Sequence, residues 1–107
     1  MTKRALEQNI LSLVSQVVAL AQPQRIILFG SAARGEWHKD SDLDLLVVVP
    51  EKAPRKTILD RLNTQLDRRN FPCDVLLTTP SRLARFSRQP GSIYYEILRE
   101  GREVYAA

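Results

Sequence analysis

The sequence predicts an α/β domain in which helices pack against a β-sheet. Short apolar runs, each closed by glycine or proline, alternate with stretches whose apolar residues recur at helical spacing. The 107 residues leave room for one domain, residues 1–107, with one core. No repeat, linker or shift in composition divides them.

The elements follow in order. Leu6, Ile10, Leu13, Val14, Val17 and Ala21 trace the apolar stripe of a first helix. Thr2 is positioned to cap it, and Pro23 stands just beyond its end. "RIILF", Arg25 to Phe29, reads as a strand broken by Gly30-Ser31. Ala32 to Gly35 can form a helical turn, and Glu36 to Ser41 is a polar loop. A second strand starts near Asp42 and runs to Val49, where Pro50 ends it. Ile58, Leu59, Leu62 and Leu66 then share one face of a second helix. Cys73 to Thr78 is a third strand, and Pro80 to Arg88 a short helix. Ser92 caps a last helix, Ile93 to Arg99, which Gly101 stops. "REVY" adds a short edge strand.

Bulk properties narrow the function classes. The net charge of +4 permits contact with nucleic acid without requiring it. The basic residues scatter, with one modest cluster at Arg82, Arg85 and Arg88, whereas a dedicated nucleic-acid binder carries a denser stripe. A solvated surface or a partner face is the expectation, with nucleic acid not a direct ligand. No apolar run reaches bilayer length, and MTKRALEQ lacks the apolar centre of a signal peptide. The single cysteine, Cys73, can form no internal disulfide. A cytoplasmic protein without a membrane role is expected.

Chemistry concentrates at Asp42 and Asp44. Residues two apart on a strand share a face, so both carboxylates point one way while Leu43, Leu45 and Val47 point into a core. Two carboxylates at about 4 Å repel by roughly 4 kcal/mol at an effective dielectric of 20. Protonation, water or a cation can relieve that repulsion. Magnesium takes one or two carboxylates and completes its shell with water and phosphate oxygens. The Gly30-Ser31 turn offers the phosphate site, with a backbone open to close approach and a hydroxyl donor. A helix starting at Ala32 to Arg34 would add amides and a favourable dipole. If the third strand lies beside the second, Asp74 joins the pair. Three carboxylates suit two metal ions and in-line attack on phosphorus, with Asp74 a candidate to accept the hydroxyl proton. Taken singly, the aspartate pair reads equally as a solvated strand entrance closed by an Asx turn.

Residues Gly30 to Leu45 spell GS-x-ARG-x5-SD-x-DL. This resembles the signature of the DNA polymerase β-like nucleotidyltransferases, and more narrowly the minimal nucleotidyltransferases. The resemblance implies a polymerase β-like nucleotidyltransferase fold, a mixed sheet flanked by helices. It implies ATP as donor and two Mg2+ ions. Asp42, Asp44 and Asp74 would be catalytic metal ligands, with Gly30, Ser31, Arg34 and Ser41 binding the nucleotide. Ala32, at a variable position of the family, adds no basic contact. Minimal nucleotidyltransferases are often paired with a HEPN-type ribonuclease toxin. There the nucleotidyltransferase is the antitoxin and can transfer AMP to a tyrosine of the toxin. Larger nucleotidyltransferases carry extra domains for the acceptor, so here a partner protein or a homo-oligomer is expected to hold it.

The other polar residues have plainer readings. Arg34 serves equally as a phosphate contact or a surface ion pair, and Lys39 as a solvated cation. His38 is the only histidine, which excludes a histidine-based metal cluster. Trp37 and His38 map onto no family role. Cys73 is expected to be a small core residue, and Tyr94, Tyr95 and Tyr105 to pack before they serve as modification sites. Three other functions stay open: an antitoxin acting by contact alone, transfer to a small molecule such as an aminoglycoside, and nucleic-acid binding.

Overall fold

The computed structural model describes residues 2–36 and 42–107. Eight elements follow along the chain: α1 (Lys3–Ala21), β1 (Arg25–Phe29), β2 (Leu43–Val48), α2 (Arg55–Gln65), β3 (Cys73–Thr78), α3 (Pro80–Phe86), α4 (Ile93–Glu100) and β4 (Arg102–Ala106). The four strands form one sheet in the order β3-β2-β1-β4. β1 runs antiparallel to both β2 and β4, while β2 and β3 are parallel. The sheet is therefore mixed, as the resemblance implies. α2 supplies the crossover that a parallel pair requires.

Local signals account for the helix ends. The Ala5 amide donates to Thr2 Oγ1 at 3.1 Å, closing the start of α1. Gln22 ends the helix in the left-handed region at φ 47°, its amide donating to the Val18 carbonyl. Ser92 Oγ accepts from the Tyr94 amide at 3.1 Å and caps α4. The start of α3 is held from a distance. Glu51, just beyond β2, accepts from the Ser81 amide at 2.6 Å and from Ser81 Oγ at 2.9 Å. These bonds hold the Glu51 carboxyl below its usual range.

Helices cover both faces of the sheet. Ile10, Leu13, Val14 and Val17 of α1 and Ile58 and Leu62 of α2 pack on Ile26, Leu28, Leu43, Leu45 and Val47. On the other face Leu83 of α3 and Ile97 of α4 cover Ile27, Leu46 and Val48, with Phe29 and Tyr94 at the margin. β2 is thus buried on both sides from Leu45 onward. The sequence expectations need small corrections. β2 starts at Leu43, which leaves Asp42 before the strand. Leu59 is 37% exposed, because Ile58, Leu62 and Leu66, four residues apart, make the inward stripe. Ser31 to Gly35 forms a hydrogen-bonded turn, as expected of this segment, but it does not continue into a helix. No helix among the described residues is long and apolar enough to cross a membrane.

The two-sided burial of β2 sets a stability difference. Leu46→Ala is expected to cost about 2–5 kcal/mol. Leu76→Ala, on edge strand β3 at 37% exposure, should cost under about 1 kcal/mol. Urea denaturation midpoints of the two variants check the ordering.

Candidate active site

The site forms where burial of the sheet gives way. Asp44 is the second residue of β2 and faces the same side as Leu46 and Val48, below the α3/α4 layer. Parallel pairing sets Asp44 directly opposite Asp74. On its other flank Asp44 pairs with Phe29, the last residue of β1. The chain then leaves β1 through Gly30, at φ +76°. A Cβ at position 30 would fall on the Asp44 carboxylate. Glycine here meets two demands, the left-handed backbone and the close approach of a carboxylate.

The electrostatics follow from this crowding. Burial pushes the Asp44 carboxyl up, and the Asp74 and Asp42 carboxylates push it further in that direction. The Arg34 guanidinium pulls it down by less. Asp42 and Asp74 are exposed, Asp44 half-buried. Among the described residues, no three His, Cys, Asp or Glu side chains form a ready-made cage for a metal ion. Asp42 lies outside the β-ladder, and three like charges do not converge on their own. The donor set still suits magnesium, which needs one or two carboxylates when phosphate oxygens and water complete its shell.

The turn after Gly30 is tied by three amides. Arg34 donates to the Gly30 carbonyl at 3.2 Å, Gly35 to Ala32 at 3.4 Å and Glu36 to Ser31 at 2.9 Å. Gly35 also has positive φ, at 76°. With no helix here, any anion affinity comes from local amides and the Ser31 hydroxyl rather than from a helix dipole. Arg34 Nε bonds Glu36 at 3.1 Å, and Nη1 reaches Glu100 at 3.5 Å. The structure therefore gathers Gly30, Ser31, Arg34, Asp42, Asp44 and Asp74 at one end of the sheet. Ser41, together with Trp37, His38 and Lys39, lies outside the described residues. Glu100 was not anticipated, since it stands 66 residues from Arg34 and nothing local marks it.

Residues weighed as plain packing are buried or half-buried. Cys73 is buried, and burial raises its thiol pKa, which makes it a poor nucleophile. Tyr94 lies 6.2 Å from Phe86, ring to ring, and Tyr105 packs on the α1 side of the sheet.

Two outcomes follow from the crowding at Asp44. A carboxyl whose folded pKa exceeds its unfolded value takes up a proton more readily in the folded state. It therefore lowers stability as pH rises through the interval between those values, and the loss persists above it. Asp44→Asn should raise the melting temperature at pH 7, with the gain fading toward the acid side of the carboxylate range; scanning calorimetry against pH reads this. Gly30→Ala should cost about 1–3 kcal/mol. Part of that loss should return in Gly30→Ala/Asp44→Ala, where the clash is gone but the positive φ remains.

Comparison with known proteins bears on the fold and the family. No curated protein matches the sequence. A protein from Sulfolobus solfataricus classed with the nucleotidyltransferases has a similar fold, with a TM-score of 0.57 at 21% identity over 99% of this chain and 90% of that one. A toxin-antitoxin structure with AMP-PNP gives a TM-score of 0.46 at 19% identity, over 94% of this chain and 73% of that chain. A mutant of the toxin-antitoxin pair MntA-HpeT gives 0.49 at 13% identity, over 100% and 75%. The family profile described as a nucleotidyltransferase domain matches residues 10–102. That span runs from the middle of α1 to the first residue of β4 and holds all three aspartates and the glycine-serine turn, and the chain belongs to the nucleotidyltransferase domain family.

Proposed function

We propose that the chain transfers AMP from ATP to a hydroxyl, with a tyrosine of a HEPN-type toxin as acceptor, and so acts as that toxin's antitoxin. The observation that carries the transferase part is the pairing of Asp44 with Asp74 beside Gly30. The acceptor and the HEPN partner rest on the GS-x-ARG-x5-SD-x-DL resemblance. In this reading Asp42, Asp44 and Asp74 hold two Mg2+ ions, with phosphate oxygens and water completing their shells. Bound magnesium would neutralise phosphate charge and make the attacking hydroxyl more acidic.

The protein groups have separate tasks. Gly30 lets the backbone come close to the triphosphate, Ser31 donates its hydroxyl, and Arg34 meets a phosphate oxygen. Ser41 belongs to the same set by its place in the motif. The acceptor oxygen bonds to the α-phosphorus, the bond to the bridging oxygen breaks, and pyrophosphate leaves with the electron pair. Asp74, exposed at the start of β3, takes the hydroxyl proton.

The test is incubation with labelled ATP, magnesium and the product of the neighbouring gene, followed by intact mass measurement. A gain in AMP units on that partner is expected. Asp44→Asn and Asp74→Asn should each lower the rate by about a hundredfold or more. An absence of AMP transfer with any divalent metal would overturn the reading. Neutralisation of the toxin by the Asp42→Ala/Asp44→Ala variant as fully as by wild type would instead establish inhibition by contact.

A further inference from the structure

We infer that Glu100, at the end of α4, is a positioning residue: with Glu36 it holds the Arg34 guanidinium at the edge of the carboxylate cluster, its remaining N–H groups directed to a phosphate of the bound nucleotide. The inference rests on the nucleotide-binding reading above and adds to it a residue from the far end of the chain.

The geometry is specific. Arg34 uses Nε on Glu36 at 3.1 Å and Nη1 on Glu100 at 3.5 Å. A guanidinium is planar and carries five N–H donors in a rigid fork, so bonds to Nε and Nη1 set its plane and leave the Nη2 donors to aim outward. Glu36 belongs to the same turn as Arg34 and moves with it. Glu100 does not. It ends α4, which Ile97 anchors in the core at 3% exposure. The next residue, Gly101, lies so close to the Ile97 and Leu28 carbonyls and to Ile27 that a Cβ there would not fit. The backbone at Glu100 is thus held against β1, and its carboxylate, which also meets Arg99 at 3.4 Å, braces the turn after β1 from a separate element.

Stability does not explain the arrangement. Side-chain exposure is 42% for Arg34 and 36% for Glu100, and exposed pairs contribute little to folding. The Arg34 charge is nonetheless felt at Asp44.

The test is a double-mutant cycle read by calorimetric titration of AMP-PNP with magnesium. Glu100→Gln should weaken binding about tenfold and shift the melting temperature by no more than about 2 °C. In an Arg34→Ala background the same substitution should weaken binding less than about twofold. Unchanged affinity in Glu100→Gln would overturn the inference alone, as would an equal loss in both backgrounds. Failure of the wild-type chain to bind the analogue would overturn the nucleotide-binding reading and this inference with it.

Discussion

The structure depends on a single constraint in β2. From Leu45 to Val48 the strand is buried on both faces, and its one carboxylate stands where that burial ends. Asp44 lies deep enough to lose part of its hydration, and Asp74 and Asp42 add like charge. Two fully packed faces fix the strand in depth and register, so Asp44 cannot withdraw into solvent without unpacking Leu46 and Val48. The repulsion is thereby locked into the fold. Such a built-in cost in stability is a common mark of functional sites, and it is the feature of this strand that the nucleotidyl-transfer proposal uses.

The helical layers serve this arrangement differently. α1 and α2 build the larger core and hold the back of the sheet. α3 and α4 cover the face that carries Asp44 and Asp74, but leave its end open. Leu83 and Ile97 anchor them in the core, Glu51 holds the start of α3, and Gly101 lets the chain turn from α4 into β4 close against Ile27 and Leu28. The open end of the sheet therefore receives residues from β1, β2, β3 and α4, elements distant in sequence.

Much of this was legible from residue order. The Thr2 cap and the stop at Gly101 reflect contacts within a few residues, and the inward stripe of α1 and the strand Cys73–Thr78 were marked by local apolar pattern and flanking turn residues. The misplacements arose where a local rule competed with packing. Leu59 fits a helical stripe as well as Leu62 does, and only the position of α1 decides which side is inward. Ala32 to Gly35 has helix-compatible residues, but positive φ at both Gly30 and Gly35 closes the segment into a turn. The motif glycine, serine and aspartates were visible because they fall within sixteen residues, in the spacing of the GS-x-ARG-x5-SD-x-DL resemblance.

By itself the sequence determined the helices, the strands and the acidic character of one strand entrance, because caps, turn residues and apolar periodicity act over a few residues. Only the tertiary structure decided that Asp74 stands opposite Asp44, that Gly30 abuts that carboxylate, and that Glu100 reaches Arg34. The reason is physical. Strand partners separated by a helix, and a side chain meeting another 66 residues away, are selected by the packing of the whole core, which leaves no local trace in the order of residues.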